Sequence, residues 1–257
     1  CAISLQHAVA PKGTIELEIG YEGVVVLDAT RLTRIGIPED AADNTDWDQI
    51  DPKFTALRGA GYVTWYPIAT EVANLSDGNS LSAVLGRWKT REAESTMKIQ
   101  PAVTMDYPST PQILLGGLIC PVSKLEATSQ VNQYEFSECA PRRIGFDIPV
   151  LLIGAYEVVE QQGLEIRYLP GHNSAAAAFA ESAKAPFRVI SEWFGTPRER
   201  VNVADLPDQD ASPFESGVLL VTPLANSTRD SPGLAAAHQF THASFLSFRP
   251  WIEEGLA

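Results

Sequence analysis

Along the first two thirds of the chain, apolar and polar residues alternate in short runs, the period of a strand with one face buried. "TIELEIGY", residues 14–21, is the cleanest case and predicts a half-buried strand. "VVVLDATRLT", "GYVTWYPIAT", "LSAVLGRWKT", "QILLGGLICPV", "NQYEFSEC", "IGFDIPVLLIGAYEVVEQ" and "LEIRYLP" continue the series. Gly, Pro, Asn and Asp punctuate them. Many short strands with frequent turns predict a sandwich or a twisted antiparallel assembly. "PEDAADNTDWDQIDPKF" is acidic and aperiodic, and reads as an exposed loop. The aromatic residues Trp65, Tyr66 and Trp88 fit sheet packing better than a ligand platform.

Near Gly171 the period lengthens. "HNSAAAAFAESAKAPFRVISEWFG" carries helix formers, a cap around Asn173 or Ser174, and Gly195 as a stop. Pro186 inside it predicts a kink or a split into two helices. "RVNVADLP" and "SGVLLVTPL" read as two short strands. "SPGLAAAHQFTHASFL" reads as a helix with Ser231 as cap and Pro232 in the first turn. Arg249 and Pro250 end it, and another helix begins at Trp251. This change of pattern places a domain boundary near residue 169, with a β-rich part over 1–168 and a mixed part over 169–257. The class is α+β.

Composition narrows the field of partners. The 257 residues carry a formal net charge of -13, a surface that repels phosphate backbones and anionic lipid. Nucleic acid is therefore excluded as an expected partner. No run approaches the roughly 20 apolar residues of a membrane helix, so no transmembrane segment is expected. The three cysteines, Cys1, Cys120 and Cys139, form no C-x-x-C pair. Cys120 and Cys139 flank a stretch readable as a hairpin, compatible with a disulfide or with two reduced core thiols. Cys1 is compatible with lipid attachment, and Asn74 and Asn226 head N-x-S/T triplets. The lean is towards an extracytoplasmic setting, which none of these features establishes.

Two of the four histidines, His238 and His242, stand four apart on the second helix. Residues i and i+4 share a helix face, so both imidazoles can reach one cation. A catalytic zinc site takes three protein ligands and leaves a position open. Glu253 and Glu254 lie on the next helix and supply a candidate third ligand. An H-x-x-x-H pair on an alanine-rich helix also arises by chance, and adjacent glutamates are often only solvated. His7 and His172 have no comparable setting and read as incidental.

"HQFTHASF" followed by "RPWIEEGLA" resembles the zinc-binding segment of the aminopeptidase N-type gluzincin metallopeptidases, H-E-x-x-H, a spacer, then E-G-x-A. The resemblance implies zinc held by His238, His242 and Glu254, because Gly255 and Ala257 follow Glu254 in register. It aligns "PFESGVLLVTP" with the family's G-A-M-E-N segment. There Glu215 would hold a substrate's amino terminus, and an exposed charge at a strand end is the even alternative. "IELEIGYEG" and "GYVTWYP" resemble strands of the family's β-saddle. The implied fold is an antiparallel β-saddle or sandwich over 1–168. The start of a thermolysin-like zinc peptidase domain follows over 169–257. The implied activity is hydrolysis of a peptide substrate.

The chain departs from that pattern in four places. Gln239 stands where the family has its general base, and an amide does not take a proton from water at useful pH. Residues 243–253 make a shorter spacer than in typical aminopeptidases. "FES" lacks the asparagine, glycine and alanine of the amine-binding motif. The chain ends at Ala257, before the helix that carries the family's stabilising tyrosine. The expectation is therefore a piece of a longer protein that packs against further C-terminal helices of its own. Three readings follow: a zinc peptidase impaired at its base, a non-catalytic metal- or peptide-binding scaffold, and a β-rich structural domain with an accidental motif.

Overall fold

The structure is a computed structural model. It describes residues 7–10, 13–20, 22–24, 38, 48–51, 53–58, 65–66, 95–105, 110–127, 132–136, 138–139, 142–143, 149–225, 232–245, 252 and 255–257. The strands in chain order are β1 (Gln49–Ile50), β2 (Thr55–Leu57), β3 (Thr96–Met97), β4 (Ala102–Met105) and β5 (Gln112–Leu115). Then come β6 (Leu118–Cys120), β7 (Val122–Ala127), β8 (Asn132–Phe136), β9 (Arg142–Arg143) and β10 (Leu151–Gly154). The last five are β11 (Glu157–Gln161), β12 (Leu164–Tyr168), β13 (Val201–Asp205), β14 (Phe214–Ser216) and β15 (Leu219–Thr222). Among the described residues α1 (Asn173–Phe194) follows β12, and α2 (Pro232–Ser244) follows β15. The class is mixed α+β, as the sequence pattern predicts.

Two five-stranded sheets dominate. The first, in the order β1-β2-β10-β5-β6, is antiparallel throughout. The second runs β11-β12-β13-β15-β14, with β12, β13 and β15 parallel and the two outer strands antiparallel. Its strands come from both sides of residue 169 in the sequence. Smaller sheets pair β3 with β9 and set β8 between β4 and β7.

Period-two alternation sorts the apolar residues into layers. Ile113, Leu115, Leu57 and Ile153 of the first sheet join Trp65, Tyr66, Cys120 and Tyr134 in one core. Their neighbours Leu114, Ala56 and Leu152 face the other way, against Ala204, Leu219 and Val221 of the second sheet. That second core is a sheet-on-sheet layer. The far face of the second sheet, Leu164, Ile166, Val201, Val203 and Leu220, packs on Ala183, Ile190, Ala236 and Phe240 of the helices.

Four local expectations meet the structure differently. In the stretch 38–54, read as an exposed loop, Gln49–Ile50 form β1, and Asp48 and Phe54 are buried. Residues 13–20 form no strand, and Ile15, Leu17 and Ile19 are 42–47% exposed. A strand is held by its ladder, and no described strand pairs with this stretch. Pro186 does not split α1, which runs as one element of 22 residues. Packing of Ala183 and Ile190 on either side of it offsets the hydrogen bond that proline removes. The cap position falls to His172, whose side chain makes no capping hydrogen bond. Gly195 ends the helix as expected, with φ 87°. Cys120 and Cys139 are joined by a disulfide. Trp88 lies outside the described residues, whereas Trp65 and Tyr66 are buried in the first core. Among the described residues no helix is long and apolar enough to cross a membrane.

Candidate metal centre

The site forms where α2 meets β14, the edge strand of the second sheet. β14 is the last strand there, and it pairs with β15 so that Glu215 lies opposite Leu220. Phe214 packs into the layer between the sheets. Alternation therefore sends the Glu215 side chain to the opposite, helix-bearing face, the one on which its partner Leu220 packs.

α2 presents a matching face. Ala236, Phe240 and Ala243 bury it against α1 and the sheet, with the Phe240 ring set edge-on to Phe187, centroids 5.2 Å apart. The carbonyl of Ala243 accepts the backbone N–H of Arg198 at 2.8 Å, which ties down the last turn. His238 and His242 are thereby held side by side, ring centroids 4.6 Å apart at 77°. Their Nε2 atoms are 3.1 Å apart. Glu215 Oε2 lies 2.8 Å from His238 Nε2. One ligand atom from each of Glu215, His238 and His242 falls within 4.8 Å of the other two. The His238 and Glu215 side chains keep 26% and 39% exposure, so the cluster opens to solvent.

This donor set suits a divalent cation. Two imidazole nitrogens and a carboxylate are ligands zinc accepts. A His Nε2 carries one proton or one lone pair, never both. His238 Nε2 has two hydrogen-bonding neighbours and can satisfy only one of them well by a proton. A cation among the three atoms would use the lone pairs of all three.

Gln239 lies one residue on from His238 and is fully buried. Neither its Oε1 nor its Nε2 has a hydrogen-bond partner among the described residues. Burying an unpaired amide costs about 1–3 kcal/mol, so this side chain carries a penalty that packing alone does not explain. Glu254, the third ligand implied by the terminal motif, lies outside the described residues, as does Glu253. Ile252, Gly255 and Leu256 around them are helical, in line with a helix starting near Trp251. The structure thus brings together three of the expected site residues, and places Glu215 directly at the histidines.

His172 is not incidental. Its Nδ1 is 2.6 Å from Asp205 Oδ2. Asp205 is fully buried at the end of β13. It also accepts the backbone N–H groups of Leu169, 3.1 Å, and Leu224, 2.9 Å. This carboxylate gathers the chain leaving β12, β13 and β15. No motif announces it, because the partners are 33 residues apart in sequence.

The chain matches no protein-family model and no curated protein.

Proposed function

We propose that the chain carries a zinc site of the peptide-hydrolysing kind, impaired by glutamine at its base position. Residues 169–257 would form the start of a thermolysin-like peptidase domain on a β-saddle formed by 1–168. The observation that carries this reading is the convergence of Glu215 on the His238–His242 pair, 2.8 Å from one Nε2 and beside the other. A charge at a strand end and two histidines on a helix do not meet there by the helix pattern alone. The terminal motif's resemblance to the gluzincins supports the same reading.

His238 and His242 hold the metal through Nε2. When bound, zinc supplies Lewis acidity toward a scissile carbonyl and toward water. Gln239, buried beside the first histidine, offers Nε2 as a donor and Oε1 as an acceptor. Turned toward the metal, such an amide would hold a polar group without taking its proton. The chain binds a peptide and turns it over poorly, because loss of a general base costs roughly a hundred- to ten-thousand-fold in rate. The orphaned Gln239 amide also favours a second reading, in which the site binds peptide or metal as a non-catalytic scaffold.

Zinc content and peptide hydrolysis, measured together on this chain and on Gln239→Glu, separate these readings. The proposal expects about one zinc per chain in both, with hydrolysis rising by roughly two to four orders of magnitude in the variant. Zinc in both without hydrolysis in either supports the scaffold. A folded protein that takes up no zinc removes the metal site altogether.

A further inference from the structure

Glu215 has two possible employments at a zinc site, as a ligand of the metal or as the anchor of a substrate's ammonium group. The geometry distinguishes them. In tetrahedral coordination with bonds of about 2.0–2.2 Å, neighbouring ligand atoms stand about 3.3–3.5 Å apart. The Nε2 atoms of His238 and His242, at 3.1 Å, are already within a few tenths of that spacing. Glu215 Oε2, 2.8 Å from His238 Nε2, stands about half an ångström inside that spacing and reaches it by a small outward shift. A carboxylate serving an amine farther out would stand off from the imidazoles. This one touches His238 and lies within 4.8 Å of the His242 ligand atom.

The edge strand also fits the role. Glu215 is 39% exposed, so its side chain can open by the half ångström that a cation requires. Two neutral imidazoles and one carboxylate would leave a dication with a net single positive charge and an open position for substrate. Among the described residues the cluster holds one carboxylate, that of Glu215.

We infer that Glu215 is itself a metal ligand in this chain, closing the ligand set from β14, and that the site takes peptide segments without reading a free amino terminus. The inference rests on the zinc reading above. A carboxylate engaged with the metal is not available to pair with an ammonium group. The substrate class is then an internal or N-blocked peptide rather than a free N-terminal residue.

Equilibrium zinc binding to the full chain, by competition with a chromophoric chelator, tests the ligand assignment. It compares the unaltered chain with Glu215→Gln, Glu254→Gln and His238→Ala. Glu215→Gln is expected to weaken zinc by more than the roughly 10- to 100-fold that loss of an outer-shell partner costs, with circular dichroism of the metal-free protein unchanged. Zinc affinity intact in Glu215→Gln but lost in His238→Ala overturns the ligand role and leaves the zinc reading standing. No zinc uptake by the unaltered, folded chain overturns both. The substrate class is read by calorimetry of zinc-loaded chain with one peptide in free-amine and N-acetylated forms. Affinities within a few-fold are expected, and a preference above tenfold for the free amine overturns that part.

Discussion

At Asp205 a single carboxylate holds three separate pieces of chain. It is fully buried, and its oxygens accept from Leu169, Leu224 and His172. Truncation would leave two buried amides and an imidazole unpaired at once. Asp205→Ala is therefore expected to lower unfolding free energy by about 3–5 kcal/mol. His172→Ala, which removes one partner from a half-buried rim, should cost less than half as much. Urea denaturation of both variants checks the ordering, and equal losses would mean that the carboxylate acts chiefly through the histidine. At this scale sequence shows chemistry only where partners are near in the chain. His238 and His242 are legible because one helical turn joins them. His172 and Asp205 are not, because the β12–α1–β13 excursion separates them.

Elements meet through single residues with no slack. Gly163, in the turn between β11 and β12, has φ 74°. A Cβ built there would come within 2.5 Å of Phe187 on α1. Gly163→Ala combines a left-handed backbone with a clash against a ring in the helix core. A loss of about 2–4 kcal/mol is expected by thermal or chemical unfolding. A loss under 1 kcal/mol would show that α1 can move away from the hairpin freely. The strands and helices themselves are largely readable, since "LEIRY", "VNVAD" and the two alanine-rich helices form where their periods predict, whereas "QILLGGLIC" folds as two paired strands around Gly116 and Gly117. The exception at residues 13–20 has a physical cause. Alternation states that a strand would have one apolar face, and says nothing about whether another strand lies beside it.

Across the whole molecule, Arg167 links the two large sheets. The run Leu164, Ile166, Tyr168 packs on the helices, so Arg167 points between the sheets, where it is only 2% exposed. There it donates to Glu165, to Gln112 of β5 at 3.3 Å and to Asn202 of β13 at 3.1 Å. Burial lowers the guanidinium pKa, and the adjacent Glu165 carboxylate pulls it back up. Arg167→Leu takes a donor from Glu165, which keeps Arg200 at 2.7 Å, and from the amide oxygens of Gln112 and Asn202, and is expected to cost about 2–4 kcal/mol. Double substitution with Glu165→Leu should recover part of that loss, measured by the same unfolding curves. Full additivity of the two changes would rule out an energetically coupled pair.

Local period and residue type were enough to lay out β-rich then mixed α+β order, the helix stop at Gly195 and the paired histidines, because each depends on neighbours a few residues away. They also allowed Cys120 and Cys139 to bond without requiring it. Alternation in "LEIRY" implied one wet face, and the first sheet covers that face and makes Arg167 an interior cation. "FES" offered Glu215 as a strand-end charge or an amine anchor. Its contact with His238 arises because β14 turns Glu215 to the face of the sheet on which α2 packs. Sheet order and layer packing are long-range choices, made by which apolar faces bury each other, and a one-dimensional pattern of polarity does not contain them.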